Sequence, residues 1–282
     1  MHAPSRKIVM TLAAAALASA LACGCSTNPV TGRNELILIP ANQEIAIGVQ
    51  AAPQFAQESG GPVPDATLQA YISEVGGKVA AVSDRQLPYE FTLVASKVPN
   101  AFALPGGKIF VTAGLMARMT NERQLAAVLA HEVVHAAAKH SVKQLQKQMG
   151  ASVLIELAGY VAGADKAAAA KAATEIATNM GTLHYSRSDE YQADEYGLIY
   201  LARAGYNPWG MVELLNVLYG LSETEPDSLT EMFQTHPLTS KRIAETKELI
   251  ENNAELNAFS PETPDPQAGR FAEMRARLLG AL

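Results

Sequence analysis

Residues 121–135 read Asn121-Glu122-Arg123-Gln124-Leu125-Ala126-Ala127-Val128-Leu129-Ala130-His131-Glu132-Val133-Val134-His135, and most of what the sequence predicts follows from them. Asn121 before an acidic residue is a typical helix start, and neither Pro nor Gly follows before Gly150, so residues 120–149 are predicted to form one helix. Histidines four residues apart lie on one helical face, close enough for both imidazoles to bind one metal ion. The pattern therefore predicts a metal site on a helix.

Glu132 is the candidate for acid–base chemistry. Its side chain points about 100° away from that of His131 on a helix, so its carboxylate need not bind the metal and can reach a water molecule bound there. His-Glu-x-x-His is the arrangement of zinc hydrolases, in which three protein groups hold zinc and one position is kept for water. One Zn²⁺ per chain is therefore predicted, and a third ligand is required.

The third ligand is predicted to be a carboxylate from another helix. His140 is excluded on a continuous helix because, nine residues beyond His131, it lies half a turn out of phase. Glu190 and Asp194 lie on one face of a helix predicted at residues 186–204. One of them can bind the metal while the other accepts a hydrogen bond from a ligand imidazole, and the spacing leaves open which does which.

The rest of the chain is predicted to be mainly helical with a small sheet, an α+β fold. Strands are predicted at residues 89–95, 101–104 and 108–112, with a tight turn at Pro105-Gly106-Gly107. Further helices are predicted at residues 42–57, 65–82, 208–221 and 240–253, with a short one at the C-terminus. Residues 151–180 carry too many charges for a membrane span, and a buried helical hairpin is predicted there.

Residues 1–24 are predicted to be a lipoprotein signal peptide. Arg6 and Lys7 precede an apolar stretch that is too short for a spanning helix, and small residues then lead to Cys25. Cys25 is predicted to be acylated after cleavage, with Cys23 as the alternative, so that an N-terminal lipid holds the chain to a membrane.

Composition excludes several classes of protein. With 48% hydrophobic residues among 282, the chain has enough apolar side chain for a sizeable core and is not disordered. A formal net charge of −6 gives no strongly basic surface, so nucleic acid is not a predicted partner. The two cysteines, Cys23 and Cys25, are too close together to stabilise a fold by a disulfide bond or to form a Cys-based zinc finger.

Four motifs are spread over roughly residues 65–249. They are Asn100-Ala101-Phe102-Ala103-Leu104-Pro105-Gly106-Gly107, His131-Glu132-Val133-Val134-His135, Glu190-Tyr191-Gln192-Ala193-Asp194, and His236-Pro237 followed by Arg242-Ile243. With these motifs the chain resembles the zinc endopeptidases related to the CAAX prenyl protease and the HtpX heat-shock protease. The start at Cys25 resembles their bacterial lipoprotein branch, which includes BepA and LoiP. The resemblance implies a gluzincin-like metalloprotease domain in which the edge strand of a small sheet flanks the active-site helix.

The resemblance also implies roles at matching positions. His131, His135 and Glu190 would be zinc ligands. Glu132 would be the general base and acid, and Asp194 would accept a hydrogen bond from a ligand histidine.

Two more residues are implied to act at this site. His236 would face the metal and stabilise the developing oxyanion, and Arg242 would support His236. A fourth protein ligand closes a zinc site to water, so a His236 that binds the ion at rest would have to be displaced before turnover. The sequence leaves both roles of His236 open.

The strand at residues 101–104 is predicted to bind substrate. Proline flanks it on both sides, which is typical of an edge strand whose free backbone groups can pair with an extended polypeptide. Asn100, Ala101, Phe102 and Ala103 are therefore candidate substrate-binding residues. Main-chain pairing is indifferent to most side chains, so unfolded or flexible polypeptide is the predicted partner.

The function predicted from these features is zinc-dependent hydrolysis of misfolded envelope proteins, and the quality-control role comes from the resemblance alone. Residues 25–62 would be a lipid-anchored tether and N-terminal helix, residues 63–255 the metalloprotease domain, and residues 256–282 a tail with a short helix. By resemblance to other bacterial lipoproteins, the serine after Cys25 favours the periplasmic side of the outer membrane, and the sequence leaves the inner membrane open. The alternatives are a chaperone-like binding module with a structural metal and an enzyme that cleaves cell-wall cross-links.

Overall fold

The computed structural model describes residues 25–150, 153, 156, 166–238 and 240–281. The predicted signal peptide and the first part of the predicted hairpin at residues 151–180 lie outside the described residues. The strands are β1 (Cys25–Thr27), β2 (Asn34–Leu36), β3 (Glu90–Val94), β4 (Ala101–Leu104) and β5 (Lys108–Thr112). The helices are α1 (Ala41–Glu58), α2 (Ala66–Ala80), α3 (Ala113–Met116), α4 (Glu122–Ala137), α5 (His140–Met149), α6 (Lys166–Met180), α7 (Arg187–Arg203), α8 (Trp209–Thr224), α9 (Thr230–Thr235), α10 (Ser240–Asn252) and α11 (Ala268–Ala281). The predicted mainly helical α+β fold is confirmed.

The small sheet has the strand order β3-β5-β4, with β3 parallel to β5 and β4 antiparallel to it. The predicted turn joins β4 to β5 as a short 3₁₀ segment, Pro105–Gly107. Gly106 has a φ of 72° there, and a Cβ on it would lie 2.6 Å from Ile45 Cα. Glycine is therefore needed both for the turn and for the close approach of α1.

Helix α4 is the centre of the molecule and is buried along its whole length. It packs against α2, α7, α8 and strand β4. A helix that is buried on all sides must be apolar, except where its polar side chains have hydrogen-bond or ionic partners. Within residues 125–137 the polar side chains are His131, Glu132 and His135. Helix α7 contacts α4 at Gly197, where an added Cβ would lie at an ordinary contact distance of 3.5 Å from the His131 backbone nitrogen. The sequence thus concentrates its buried polar groups at the contact between α4 and α7.

The prediction of one helix over residues 120–149 is wrong. Helix α4 ends at Ala137, and Lys139, with φ 60° and ψ 26°, separates it from α5. A left-handed residue other than glycine costs about 1–2 kcal/mol, so contacts must hold it there. The Asn28 side chain donates to the Ala138 carbonyl at 3.3 Å, and Lys139 Nζ donates to Ser26 Oγ at 2.7 Å. The break is therefore held by a segment 110 residues away in sequence. Neither Pro nor Gly lies near Lys139 to indicate a helix end in the sequence.

The N-terminal segment is folded against the rest of the chain from Cys25 onward. Strands β1 and β2 form an antiparallel ribbon in which Cys25 lies opposite Leu36. After the ribbon, apolar side chains of this segment enter a buried cluster with residues of β4 and β5. The N-terminal segment contributes Ile37, Ile39, Ile47 and Phe55 to this cluster, and strands β4 and β5 contribute Phe102, Leu104 and Phe110. Residues 25–62, predicted to be a tether and an N-terminal helix, thus contain the ribbon and α1, and both pack against the rest of the chain.

The C-terminal helix predicted from its amphipathic pattern is α11. Its apolar face, formed by Phe271, Met274 and Leu278, is buried against the core, where the helix contacts α2. Within the part of the chain that the structure describes, no helix combines the length and apolar character needed to cross a bilayer.

Breaking the buried ion pair between Arg85 and Glu44 is expected to destabilise the fold. Arg85 donates to the two Glu44 carboxylate oxygens at 2.9 and 2.7 Å, and to the Ala136 carbonyl near the end of α4 at 3.2 Å. Arg85→Met leaves a buried carboxylate without its partner, which costs about 3–5 kcal/mol. Urea unfolding should show this loss, and a smaller one when Glu44→Leu is added. Equal losses in the single and double variants would contradict the prediction.

Candidate active site

Four side chains from three parts of the chain converge in one buried cluster. His131, His135, Glu190 and His236 each present one nitrogen or oxygen atom, and these atoms all lie within 4.8 Å of one another. His131 Nε2 lies 3.0 Å from His135 Nε2, and the Glu190 carboxylate oxygens lie 3.5 Å and 3.3 Å from these two nitrogens. The sequence-predicted metal ligands are therefore close enough together to hold one ion.

Local structure explains why Glu190 faces α4. Ser186 caps α7, with its side chain accepting from the Asp189 backbone while the Asp189 carboxylate accepts from Ser186 N. This capping box fixes the first turn of α7, so that Glu190 and, one turn later, Asp194 lie on the face that packs against α4. Both carboxylates are buried, at 1% and 2% exposure.

The geometry distinguishes the two carboxylates that the sequence left open. Asp194 Oδ1 lies 3.0 Å from His131 Nδ1 and accepts its proton, which leaves His131 Nε2 free to face Glu190. Arg242 binds Asp194 from the other side, with two donors at 2.7 Å. Glu190 therefore faces the Nε2 atoms of the two histidines, whereas Asp194 contacts the opposite side of the His131 ring.

The cluster fits a bound cation. Two imidazole nitrogens 3.0 Å apart cannot both point lone pairs at each other without a proton or a metal ion between them. Burial opposes a charge on His131, but the attraction and hydrogen bonding of Glu190 and Asp194 together outweigh burial and raise the pKa of His131 to about 10. Burial disfavours the charged form of Glu190, but electrostatic attraction to His236, Arg242 and His131 holds the pKa of Glu190 well below its usual range. The site thus stabilises positive charge where a divalent ion would sit.

Glu132 faces this cluster from α4. Burial raises the pKa of Glu132, and its Oε1 lies 3.7 Å from His236 Nε2. Neither Glu132 Oε2 nor His236 Nε2 has a hydrogen-bond partner among the described residues, although both atoms are buried. Buried polar atoms without partners are rare and indicate a missing ion, water or substrate. These two atoms point to a place where a reacting molecule would bind.

Arg242 lies beside the site and contacts two carboxylates of α7. Its guanidinium binds Glu190 Oε2 at 2.7 Å in addition to Asp194. It also donates to the Pro237 carbonyl, next to His236, at 3.3 Å. The structure therefore places Arg242 as a partner of the two carboxylates on α7.

Strand β4 lies at the edge of the sheet, as predicted, but it is not open to solvent. All four of its residues are buried. The Ala101 N–H donates to the Asn100 side chain at 2.9 Å, and the Ala103 carbonyl accepts from Ser141 on α5. An extended substrate would have to displace these contacts, so β4 is covered in the conformation described here.

Sequence reasoning missed two aromatic residues beside the ligands. His140 is completely buried, and its Nδ1 lies 3.0 Å from His135 Nδ1. The ring of Tyr185 lies 3.9 Å from that of His135, between centroids, and its hydroxyl contacts Ser141 at 3.1 Å. His140 lies outside the cluster of potential ligands, as the phase argument expected, but that argument assumed a continuous helix and so did not anticipate that His140 contacts His135. Tyr185 directly precedes Ser186, the N-cap of α7, and no motif or spacing in the sequence marks it as a site residue.

A narrow apolar cavity of about 30 Å³ opens beside Glu132 and His236. Its walls are apolar side chains of α4, α8 and α9 and the segment after α9. They are Val128, Met211, Leu214, Leu215, Leu218, Met232, Phe233 and Leu238. This volume holds one or two water molecules and no amino-acid side chain unless its walls move.

Comparison with known proteins agrees with this geometry. The model of "Peptidase family M48" matches residues 62–250. The beta-barrel assembly-enhancing protease of Escherichia coli K12 is 30% identical over 258 residues, which are 86% of this chain and 52% of that protein. The mitochondrial metalloendopeptidase OMA1 of Schizosaccharomyces pombe is 33% identical over 64% of this chain and 52% of its own length. Metalloprotease LoiP of Escherichia coli K12 is 28% identical over 55% of this chain and 60% of its own length.

The chain spans about half the length of the beta-barrel assembly-enhancing proteases it matches. The matched region includes α4, α7 and the segment that carries His236, and so contains the whole cluster of potential metal ligands. The chain therefore belongs to peptidase family M48 and carries a metallopeptidase domain of the BepA and LoiP type.

Proposed function

We propose that this chain is a zinc-dependent endopeptidase that hydrolyses unfolded or misfolded polypeptides in a bacterial cell envelope. The observation that carries the proposal is the convergence of two imidazole nitrogens and the Glu190 carboxylate in a buried site with Glu132 beside them. Membership of family M48 supports it, as do relatives named as proteases.

His131, His135 and Glu190 would hold the ion. Two imidazoles and one carboxylate are a donor set that zinc takes in catalytic sites. A zinc ion at these ligands supplies a Lewis acid that lowers the pKa of a water molecule and polarises the substrate carbonyl. Asp194 holds the His131 ring so that Nε2 stays available to the ion.

Glu132 would move the protons of the reaction. Its carboxylate takes a proton from the attacking water and passes it to the leaving amine. Because burial raises the pKa of Glu132, its protonated form is more accessible near neutral pH than that of a carboxyl group in water. A base that must return its proton within one catalytic cycle benefits from this shift.

His236 has two roles that the geometry allows. As a donor to the developing oxyanion it would contribute about 3–4 kcal/mol, the typical loss when one such donor is deleted. As a fourth ligand it would close the resting site. Its membership of the cluster and the burial of the whole site favour the closed resting form, from which His236 must withdraw before a substrate binds.

Substrate would reach the site along β4 once its covering contacts open. Pairing with the Ala101 and Ala103 backbone groups requires an extended chain, which favours unfolded polypeptide. The apolar cavity beside Glu132 would widen to accept an apolar side chain next to the scissile bond. The substrate class is therefore flexible polypeptide with exposed apolar residues.

The cellular setting is proposed by analogy. Relatives are named for enhancing beta-barrel assembly, so we place this chain on the periplasmic side of the outer membrane, anchored by an acyl chain on Cys25. Residues 1–24 would be removed as the signal peptide, residues 63–255 would be the catalytic domain, and the flanking residues 25–62 and 256–282 would pack against it. A chaperone-like module with a structural metal is the competing function.

Glu132→Gln is expected to abolish hydrolysis of unfolded casein while leaving one equivalent of zinc bound. Loss of a general base typically lowers the rate by about 10²–10⁴-fold. Zinc content and casein cleavage are measured on the same samples, with Glu195→Gln on α7 as the control. Equal activity in the wild type and Glu132→Gln would exclude the peptidase and favour the chaperone-like module.

Removing metal with a chelator is expected to abolish activity and to lower the unfolding temperature, with both restored by stoichiometric zinc. Binding to the folded state at 100 times the dissociation constant stabilises it by about 2.7 kcal/mol. Thermal unfolding with and without zinc measures the effect. An unfolding temperature that zinc leaves unchanged would contradict the proposed site.

His236→Ala is expected to raise casein hydrolysis several-fold, because it removes the side chain that closes the resting site. Initial rates at matched zinc occupancy are compared with the wild type. A fall of about 10²–10³-fold in kcat would instead assign His236 to oxyanion stabilisation.

A further inference from the structure

His140 is the one histidine in the described part of the chain that is fully buried and yet outside the proposed ligand cluster. Its ring lies 5.0 Å from the His135 ring, between centroids, with an interplanar angle of 73°. The two Nδ1 atoms are 3.0 Å apart, a hydrogen-bond distance. One of these nitrogens must therefore carry a proton and the other must accept it.

The surroundings of His140 decide which nitrogen donates. The Gln192 amide nitrogen donates to Ser188 Oγ at 3.3 Å, which turns the Gln192 oxygen toward His140 Nε2, also at 3.3 Å. A carboxylate oxygen of Asp189 lies 3.6 Å from the same nitrogen. Both neighbours of His140 Nε2 are acceptors, so that nitrogen carries the proton and Nδ1 is left as an acceptor.

The proton between the two rings then belongs to His135. With Nδ1 of His135 protonated, the lone pair of this ring is on Nε2, the nitrogen that faces His131 and Glu190. Asp194 does the same for the other histidine, by accepting from His131 Nδ1 at 3.0 Å. Each proposed ligand histidine thus has its own acceptor behind it.

The backbone break places His140 where it can do this. Lys139 turns the chain so that His140 starts α5 beside His135 instead of lying on the opposite face of a longer helix. The break is in turn held by Asn28 and Ser26 of the N-terminal ribbon. The position of His140 therefore depends on a contact between distant parts of the chain.

We infer that His140 is a positioning residue for His135, which fixes the ring and the tautomer that present Nε2 to the metal, with Gln192 and Asp189 fixing the tautomer of His140. The inference rests on the proposed function, because it requires His135 to be a ligand. Acceptors behind metal-binding histidines typically change metal affinity or activity by about 10–100-fold when removed.

The test measures zinc affinity by competition with a chromophoric chelator, on the full folded chain. His140→Leu is expected to bind zinc about 10–100-fold more weakly than the wild type and to lower kcat with KM unchanged. His140→Asn keeps an acceptor near the position of Nδ1, and is expected to recover most of the affinity. Gln192→Leu, which leaves both histidines in place, should show a smaller loss of the same kind.

Tyr200→Phe is the matched control, because it removes a buried hydrogen bond from α7 to Asp84, at 2.9 Å, away from the site. It should leave zinc affinity unchanged. A merely structural role for His140 would lower the unfolding temperature of the metal-free protein and leave the zinc affinity of the folded protein intact, which would overturn the inference. So would equal losses in His140→Leu and His140→Asn. A wild-type chain that binds no zinc would instead reject the proposed function.

Discussion

The contact between α4 and α7 buries carboxylates against imidazoles and a guanidinium, and the balance of these charges is the constraint on which the site depends. An unpaired ion in such surroundings costs several kcal/mol. Arg242 bridges the carboxylates of Glu190 and Asp194, and the imidazoles of α4 face the same two groups. A cation between Glu190 and the histidines would complete the balance. Gly197 of α7 lies beside the backbone of Ala130 and His131, where the two helices meet.

Side chains and segments around the contact between α4 and α7 hold the site histidines in place. Asp194 and His140 contact the two histidines on the side away from Glu190. The N-terminal ribbon fixes the end of α4 through Asn28, so residues far from the motif in sequence help to shape the site. The same packing covers the site, because Ser141, at the start of α5, donates a hydrogen bond to the Ala103 carbonyl on the outer edge of β4. An enzyme built this way must loosen part of its packing to admit a polypeptide, and local opening of that kind draws on the less stable parts of a fold.

Much of the fold follows from local patterns. The strands β3, β4 and β5, the glycine turn and helices such as α1, α2 and α7 lie within a few residues of their predicted bounds, because each has a strong periodicity or a cap. The helix break at Lys139 was not predictable, since it is held by Asn28 and Ser26 and no residue near it favours a turn. The error at the break carried over to His140, whose phase was computed along a helix that does not continue. The partners of Arg242 also depend on packing between elements.

The helix that carries His131, Glu132 and His135 could be predicted without coordinates, and so could the spacing that puts two carboxylates on one face of α7, because both follow from the period of a single helix. Tertiary structure decided that Glu190 faces the imidazole nitrogens while Asp194 stands behind one ring. It also decided that His236 joins the cluster and that β4 is covered. These outcomes depend on how separate elements pack, and the angle and depth of such packing are set by the combined shape and charge of many side chains, which no single segment contains.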